Sequence, residues 1–527
     1  MASKFNGVVY TKRWVVDLIL DVAGYTVDKA LYNQRVCEPS CGEGAFLASI
    51  VERLVRANEN AGRSFDMLAE CVVAFDTDEN AISHSKAVVI EKLNSMGCDN
   101  NVAKELADSW IKQADFVLEP SSKFDYVIGN PPYLRSTEIN TEAREKYCAA
   151  ISSMTKGCDL FIAFIQKGID QLADGGNLTY ICADRWLQNQ YGKSLRRYLV
   201  DNSYSIDSLI RMHGVDAFDE EVDAYPAITK LSKSGGKLRY VNCETTFSED
   251  DVESLERWFF SDTETIDTSS FSAAVMDQIK DDSVLPLSSP ARVRMIRQLV
   301  SRFPSLEESG VSLGIGMATG NDKVFIVDNP DIVEEDRLLP VFSMRDYRRH
   351  IVKDRWLVNP WTAENTLIDL DDFPKAKSYF EQNREELSKR HVAKKGAWYR
   401  TIDKPKLSIM GKPMLLFPDL ASSSDPVYSD GTKYPCHNCY WLVSEEWDLK
   451  VLGGLLMSDI AEAFIEALCV KMRGGTLRFQ AQYLRLIHIP RFESISLEVK
   501  QELSNAFVAG DRTAASLAAR FAYGLED

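Results

Sequence analysis

The chain has 527 residues and a formal net charge of −17, with 45% hydrophobic and 26% charged residues. At about 100–200 residues per domain, this length predicts roughly two to four domains, and the composition excludes a globally disordered chain. No apolar run approaches the roughly 18 residues that a membrane helix needs. The eleven cysteines lie mostly in apolar runs, which is typical of reduced thiols. We therefore expect a cytoplasmic globular protein that is not bound to a membrane.

Charge is unevenly distributed along the chain. Residues 244–282 contain 12 acidic and 2 basic residues, whereas residues 388–412 contain 8 basic residues and one acid. Residues 471–491 contain 5 basic residues and no acid. Aromatic residues interrupt both basic islands, so each island could face phosphate groups or could be ordinary solvated surface. The overall negative charge therefore does not exclude a nucleic-acid partner.

The first 243 residues alternate short apolar runs with amphipathic stretches. Val72–Asp76, Phe124–Asn130 and Asn177–Ala183 are predicted to be buried strands, whereas Asp159–Leu172 carries apolar residues at helical spacing. Apolar strands that alternate with helices form parallel sheets covered on both faces. We therefore expect a doubly wound, Rossmann-like α/β domain over residues 1–243.

Three further parts are predicted after this domain. Residues 244–304, which are acidic and rich in Ser and Thr, are predicted to form a connector. Residues 305–495 contain short, turn-rich segments without a regular β–α alternation, which favours a mixed α+β domain. Residues 496–527 are helical by composition and periodicity, so we expect a C-terminal helical tail.

Three short segments have the pattern of a ligand site at strand ends. In CEPSCGEGAFL, an acid is followed by Gly42, Gly44 and a helix-like run, so the backbone could approach a ligand at a helix N-terminus. Asp76 ends a predicted strand, where its carboxylate could accept hydrogen bonds from ribose hydroxyls. Asp115 lies at a third predicted strand end. Taken singly, these patterns also fit an ordinary turn and helix caps.

The fourth segment, FDYVIGNPPYLR from Phe124 to Arg135, carries the strongest signal. Two prolines after Asn130 fix the backbone of the turn. The Asn130 amide oxygen and the Pro131 carbonyl could then accept the two hydrogens of one NH2 group, while Tyr133 offers a flat face to a planar base or amide. The arrangement is suited to holding an exocyclic amino group with its nitrogen aimed at an electrophile.

In this order, the four segments resemble the γ class of DNA adenine-N6 methyltransferases, which are class I enzymes that depend on S-adenosylmethionine. The resemblance covers nearly the whole chain, although Lys12 stands where the family usually has proline. It implies a methyltransferase catalytic domain over residues 1–243 and a target recognition domain over residues 305–495. The implied catalytic residues are Asn130, Pro131, Pro132 and Tyr133. The implied contacts of S-adenosylmethionine are Thr11, Glu38, Pro39, Ser40, Cys41, Gly42, Gly44, Asp76, Asp78, Asp115 and Asn130.

Looser matches follow downstream. Cys182–Leu199 resembles the family segment that supplies a second aromatic to the target base, and Tyr191 takes that role beside Tyr133. Segments at 314–327, 397–400 and 471–490 resemble parts of the family's specificity domain. The implied DNA contacts are Lys394, Lys395, Trp398, Tyr399, Arg400, Arg473 and Arg478.

The resemblance implies a site-specific enzyme that methylates N6 of a flipped-out adenine in double-stranded DNA, as the modification component of a restriction–modification or related defence system. It allows for a separate restriction or defence subunit, and a monomer is favoured. Three alternatives stay open: a protein-glutamine methyltransferase, an RNA-adenine methyltransferase, and a catalytically silent DNA-binding specificity protein. The recognition sequence does not follow from these residues.

A CxxC pair with an intervening histidine, PCHNC from Pro435 to Cys439, invites interpretation as a metal site. A structural zinc site needs four ligands, and the chain contains no second CxxC pair. We therefore expect no bound metal.

Overall fold

The structure is a computed structural model that describes residues 10–155, 157–220, 225–469 and 476–525. The chain divides into two compact units, Met1–Arg294 and Met295–Asp527. Each unit is described by itself. Within the described ranges, no helix is both long and apolar enough to cross a membrane.

The first unit is built on a ten-stranded sheet. Its strands are β1 Val36–Glu38, β2 Val72–Asp76, β3 Ile111–Gln113, β4 Phe124–Gly129, β5 Leu172–Ala183, β6 Ser205–Arg211, β7 Pro226–Ser232, β8 Leu238–Cys243, β9 Thr265–Asp267 and β10 Phe271–Met276. The strand order is β3-β2-β1-β4-β5-β7-β6-β8-β10-β9. The five strands from β3 to β5 are mutually parallel, and β7 pairs antiparallel with both of its neighbours.

Helices cover both faces of this sheet. They are α1 Arg13–Ala23, α2 Ala45–Asn60, α3 Glu79–Ser95, α4 Asn100–Trp110, α5 Thr141–Ala150, α6 Phe161–Asp170, α7 Lys193–Asp201 and α8 Val252–Phe259. The next helix, α9 Pro290–Arg302, includes the boundary between the two units. Successive side chains of β2 alternate between two cores: Val72 packs with α1 to α4, whereas Val73 packs with α6 and α7. Because apolar side chains point to both faces, the sheet must be covered on both sides. The predicted doubly wound α/β fold is confirmed.

The order of the strands reverses its direction of winding between β1 and β4. From β1 the chain winds outward through β2 and β3, then returns to β4 on the other side of β1 and continues to β5. In such a sheet, ligands bind in the crevice at the carboxyl ends of the strands where the winding reverses. That crevice lies beside Glu38, the last residue of β1, and Asn130, which follows β4.

Residues 244–304 differ from the expected connector. Strand β10 pairs with β8 over six residues from Phe271 to Met276, and β9 pairs with β10 at the edge of the sheet. The apolar side chains of Phe271 and Ala273 are buried in the core of the first unit. The acidic residues obscured this short apolar strand in the sequence, because charge dominated the composition of the segment.

The second unit combines small sheets with helices. Its strands are β11 Val311–Ile315, β12 Ile326–Val327, β13 Leu338–Phe342, β14 Trp356–Val358, β15 Met414–Pro418, β16 Leu420–Ala421, β17 Val427–Ser429, β18 Tyr434–Pro435, β19 Cys439–Ser444 and β20 Leu477–Arg478. They form two four-stranded sheets, β11-β19-β15-β17 and β12-β14-β13-β18, and the pair β16-β20.

The helices of the second unit are mostly short. They are α10 Asp322–Phe325, α11 Met344–Arg348, α12 Pro374–Gln382, α13 Arg384–Ser388, α14 Leu449–Leu456, α15 Asp459–Leu468, α16 Ala481–Leu484, α17 Leu497–Ala509 and α18 Arg512–Tyr523. Buried side chains from both classes of element, such as Phe325, Phe380 and Leu416, share one core. The predicted mixed α+β architecture is confirmed. Helices α17 and α18 lie within residues 496–527.

Candidate active site

A cavity of about 560 Å³ lies at the carboxyl ends of β1, β2 and β4. Its size falls within the range of ligand pockets, which is about 300–1,000 Å³. The cavity is lined by most of the residues predicted to contact the cofactor. These are Thr11, Glu38, Pro39, Ser40, Cys41, Gly42, Asp76, Asp78, Asp115 and Asn130. Pro132 also lines it, whereas Gly44, Pro131, Tyr133 and Tyr191 do not.

The glycine-containing loop after β1 is fastened to the end of β2. The Cys41 N–H donates to the Phe75 carbonyl at 2.8 Å, and the Gly42 N–H donates to Asp76 Oδ2 at 2.9 Å. Gly42 has a φ of 49°, which side-chain-bearing residues rarely adopt. Gly44 has a φ of 91°, and a Cβ there would lie 3.3 Å from the backbone of Ser85 in α3. Gly44 therefore permits the close approach of α2 to α3 rather than lining the cavity.

The two acids at the end of β2 have different internal partners. Asp76 accepts hydrogen bonds from the Gly42 and Asp78 N–H groups, one on each oxygen. Asp78 caps α3, since its Oδ1 accepts from the N–H groups of Asn80 and Ala81. Asp76 thus links the glycine loop to the helix start, and both carboxylates line the cavity.

Asp115 is held from two sides. Its Oδ1 accepts the Val117 N–H at 3.0 Å, and its Oδ2 accepts the Tyr147 hydroxyl at 2.7 Å. Tyr147 lies on α5, a helix with no buried residue. Burial and Asp115 raise the pKa of Tyr147, so its hydroxyl stays a proton donor at neutral pH.

The cavity lining is strongly acidic. It contains six carboxyl groups and no lysine, arginine or histidine among the described residues: Glu38, Glu43, Asp76, Asp78, Asp115 and Glu138. Glu38 is 1% exposed, and burial together with Asp76 raises its pKa well above the usual range. Burial and Glu43 likewise raise the pKa of Tyr10 to about 12. Such a lining favours a cationic molecule that carries hydroxyl and amino donors, and disfavours a phosphate-bearing one.

Asn130 is held at the junction of three segments. Its backbone carbonyl accepts the Ser40 hydroxyl at 3.0 Å, and its Nδ2 donates to Thr11 Oγ1 at 3.3 Å. Thr11 pairs antiparallel with Phe218, and the Lys12 N–H donates to the Ala217 carbonyl. The amide of Asn130 is therefore oriented by a segment that is itself fixed to the chain after β6.

Tyr133 follows the two prolines and packs edge-on against Phe218, with ring centroids 6.4 Å apart and an interplanar angle of 83°. Burial raises its pKa well above the usual range, so the phenol stays neutral. The Tyr191 hydroxyl donates to Asp159 Oδ2 at 3.1 Å, and Asp159 Oδ1 accepts the Ser136 N–H. Tyr191 is thus linked through Asp159 to the chain shortly after Tyr133, although Tyr191 lies 58 positions later in the sequence.

Four cavity residues were not among the contacts named from the sequence. Tyr10, Glu43, Glu138 and Tyr147 line the cavity beside the predicted residues. Tyr10 directly precedes Thr11 in its motif and Glu43 lies within CEPSCGEGAFL, so both belonged to motifs from which only other positions were named. Tyr147 belongs to a polar helix without a motif, and only the fold brings it to Asp115.

The predicted DNA contacts lie in the second unit, and most are engaged internally. The Tyr399 hydroxyl donates to the Ile368 carbonyl, Trp398 packs under the Arg384 guanidinium, and Arg400 lies over Trp361. Lys394 is exposed, and Arg478 contacts Asp419 at 3.5 Å. The side chain of Lys395 is not described, and Arg473 lies outside the described residues.

The CxxC segment contains two free thiols. Burial raises the pKa of Cys436 to about 12, whereas the His437 side chain between the two cysteines is exposed. Over the described residues there is no group of three or more His, Cys, Asp or Glu side chains that could hold a metal.

Sequence comparison places this architecture among known enzymes. The family model of the Eco57I restriction-modification methylase matches residues 49–218, from α2 to the segment that contacts Tyr133. The Type II methyltransferase M.PaeR7I of Pseudomonas aeruginosa is 37% identical over 529 residues, which cover 99% of this chain and 92% of that protein. M.XhoI of Xanthomonas vasicola, also a Type II methyltransferase, is 35% identical over 539 residues, which cover 99% of this chain and 98% of that protein.

The fold is similar to that of a solved structure of the Type IIL restriction-modification enzyme MmeI in complex with DNA. That match has a TM-score of 0.58 and 12% sequence identity, and it covers 98% of this chain and 73% of the other. It supports the fold alone, whereas the full-length relatives establish the family. This chain belongs to the Type II methyltransferases and is a DNA methyltransferase of a restriction–modification system.

Proposed function

We propose that the enzyme transfers a methyl group from S-adenosylmethionine to N6 of an adenine flipped out of double-stranded DNA. The observation that carries the proposal is the position of Asn130-Pro131-Pro132-Tyr133. This segment follows β4 at the point where the winding of the sheet reverses, directly beside the acidic cavity. A planar amino substrate held there would face a ligand in the cavity.

The cavity lining is compatible with S-adenosylmethionine, whose charge and donors are complementary to carboxylates. When bound, this cofactor supplies a methyl group activated by its sulfonium. Asp76 would accept the ribose hydroxyls, and Asp115 would accept the adenine amino group. Buried Glu38 would face the cationic part of the ligand, because its raised pKa reflects a carboxylate without a compensating positive charge.

Asn130 and Pro131 would hold the target amino group. An adenine amine is a weak nucleophile, since its lone pair is delocalised into the ring. Two acceptors on its hydrogens, the Asn130 side-chain oxygen and the Pro131 carbonyl, favour the pyramidal geometry that develops during transfer. The bond from Asn130 Nδ2 to Thr11 places the amide nitrogen on the Thr11 side, which orients the oxygen as the acceptor. No strong base is needed, because the amine becomes acidic as the N–C bond forms.

The target base would have to leave the duplex, since a stacked base cannot reach this site; unstacking costs a few kcal/mol. Stacking on Tyr133 would return about 1–3 kcal/mol, and Tyr191 would support the same pocket. The edge contact with Phe218 fixes the plane of the Tyr133 ring before the base arrives. The second unit would act as the target recognition domain, and the basic islands would supply salt-dependent phosphate contacts.

Modification-sensitive sequencing of DNA from cells that express this chain tests the proposal, with an Asn130→Ala variant as the matched inactive control. We expect N6-methyladenine at one short motif in cells with the wild-type chain, and none with the variant. A modified cytosine, or no modified base in DNA, would contradict the proposal. Purified protein with labelled S-adenosylmethionine and separate DNA, RNA and protein fractions would then identify the true acceptor.

A further inference from the structure

A second polar cavity lies wholly within the second unit and coincides with no predicted site. It has a volume of about 610 Å³ and is bordered by α10, α11, the end of β15 and the turn between β18 and β19. We call it the α11 cleft. Four cationic and two acidic side chains line it, so it is positive in a chain whose net charge is −17. The charged side chains are Asp322, Lys323, Arg345, Arg348, Arg355 and Asp419.

Helix α11 presents arginines that the protein itself does not neutralise. Arg345 and Arg348 are spaced i and i+3 on α11, so they share one face of the helix, and Arg349 directly follows its last residue. All three are exposed. In the described part of the chain, the guanidinium groups of Arg345 and Arg349 have no ion pair or hydrogen bond. Arg348 makes one hydrogen bond, to the Leu420 carbonyl at 3.1 Å, which leaves other N–H groups of its guanidinium for a ligand.

The neighbouring cations differ from these three. Lys353 pairs with Asp328, and Arg355 pairs with both Asp328 and Asp346. Asp328 and Asp346 are therefore used by the residues after α11, whereas Asp322 contacts Thr319 and Asp419 contacts Arg478. Among the described residues, no acid forms an ion pair with the three arginines. An ion-paired cation has less to gain from an external anion than an unpaired one. The unpaired face is thus the part of the region suited to an anionic or acceptor-rich partner.

The cleft is also lined by an asparagine whose backbone is fixed and whose side-chain amide is exposed. Asn438, at the turn between β18 and β19, has a φ of 66°, and its carbonyl accepts the Asp419 N–H at 2.9 Å. Its backbone is therefore fixed, while its exposed side chain has no hydrogen bond within the described residues. Exposed His437 precedes it and also lines the cleft. Arginine matches the O6 and N7 acceptors of guanine, and asparagine matches N6 and N7 of adenine.

We propose that the α11 cleft reads base edges of the target DNA, with Arg345 and Arg348 directed at guanine and Asn438 at adenine. This inference rests on the proposed function, because it requires DNA as the substrate. It assigns sequence recognition to positions outside the two basic islands, whose Tyr399, Arg400 and Arg478 make internal contacts. The islands would then contribute phosphate contacts without base specificity.

The test compares purified Arg345→Gln, Arg348→Gln and Asn438→Gly with the wild-type enzyme. Lys375→Gln removes an exposed cation of the same unit that lies outside the cleft and outside both basic islands. Asn365→Gly is the matched backbone control, because Asn365 has a φ of 61° and also lies outside the cleft. Each protein is assayed for methylation of the motif found for the wild type, of duplexes changed at single base pairs, and for S-adenosylmethionine affinity.

We expect each cleft variant to lose about 5- to 150-fold in kcat/KM on the cognate duplex, and to lose discrimination at one base pair. Cofactor affinity should not change, and both controls should stay within about twofold of the wild type. Unchanged kcat/KM in all three cleft variants would overturn the inference. So would an equal loss on every duplex, which is the behaviour of a phosphate contact. A wild-type enzyme that modifies no adenine in DNA would instead overturn the proposed function, before any variant is compared.

Discussion

The cavity of the first unit and the α11 cleft of the second satisfy their polar groups in opposite ways. In the cavity, Asp76 and Asp115 each use both carboxylate oxygens to accept hydrogen bonds from the protein. In the cleft, Arg345 and Asn438 are exposed side chains without such bonds among the described residues. A site for one invariant ligand gains from a fixed framework, whereas a surface that discriminates among DNA sequences must keep its donors and acceptors for the bases. The predictions below test this difference.

The largest effect is expected for Asn130→Ala, which separates chemistry from cofactor binding. Loss of the amide oxygen removes one of two acceptors on the target amino group, so kcat should fall by at least about 100-fold. The dissociation constant of S-adenosylmethionine should change by less than about threefold, since the carboxylates of the cavity remain. Single-turnover methylation and a cofactor titration on the same preparation measure both quantities.

Thr11→Val is the companion variant, because it keeps the shape of Thr11 but removes the acceptor of Asn130 Nδ2. We expect it to lower kcat by about 5- to 10-fold through misorientation of the amide, at a cost near that of one hydrogen bond. Near-normal turnover by Asn130→Ala would refute the assignment of Asn130 to the target amine. Turnover equal to wild type in Thr11→Val alone would refute only the orienting role of Thr11.

Asp76→Ala should break the framework of the cavity. The variant loses an acceptor for the ligand and the anchor of the Gly42 N–H. Removing a charged hydrogen-bond partner costs about 1.5–3 kcal/mol, so the dissociation constant of S-adenosylmethionine should rise by about 10- to 150-fold. Isothermal titration measures it.

Asp78→Ala is the control for Asp76→Ala, because Asp78 lines the same cavity but caps α3. Loss of a helix cap costs about 1 kcal/mol of stability, so this variant should have a lower Tm and a smaller change in cofactor affinity than Asp76→Ala. The reverse order of affinities would assign the ribose contact to Asp78.

The contrast between the two regions also explains what the sequence could predict. The cavity residues stand at the ends of apolar strands, and strand ends are recognisable from apolar runs that stop at Gly, Pro or an acid. Glu38, Asp76 and Asn130 were therefore locatable, and parallel pairing brings such ends to one edge. The doubly wound fold followed from the same alternation.

The α11 cleft had no comparable signal. Its walls come from residues 322–355 and 418–438, which are joined only by tertiary packing. Residues 343–355 contain five Lys/Arg and two acids, but only the ion pairs of Asp328 and Asp346 reveal which of these cations are left uncompensated. Tyr147 was missed for a related reason, since its hydrogen bond to Asp115 spans 32 positions.

Tyr147→Phe should weaken the binding of S-adenosylmethionine less than Asp76→Ala does. The ring stays, but Asp115 Oδ2 loses its donor at 2.7 Å. We expect the dissociation constant of S-adenosylmethionine to rise by about 2- to 10-fold, the equivalent of one hydrogen bond, while kcat at saturating cofactor stays unchanged. Tyr198→Phe is the matched control, because the Tyr198 hydroxyl donates to Asp170, a residue outside the cavity lining. Equal affinities in the two variants would exclude a positioning role for Tyr147.

The smallest effect concerns stability, and it depends on pH. Burial and Asp76 raise the pKa of Glu38 above its unfolded value. Between those two values the folded chain holds a proton that the unfolded chain has released, so stability falls as pH rises through the window. Glu38→Gln removes this loss. The Tm of the ligand-free variant should therefore exceed that of the wild type by an amount that is near zero below pH 4.5 and grows towards pH 8.

Glu142→Gln should show no such gain, because Lys146 lowers the pKa of Glu142 and its carboxylate is not destabilising. With S-adenosylmethionine bound, the wild type should have a higher Tm than Glu38→Gln. A cationic ligand favours the ionised carboxylate, so it stabilises the wild type more than the variant. Thermal melts at pH 4 to 8, with and without cofactor, measure both effects. If the Tm difference between wild type and Glu38→Gln did not depend on pH, the charge of Glu38 would already be compensated by other groups of the cavity. Glu38 would then be part of the fixed framework, and not the acid that is reserved for the ligand.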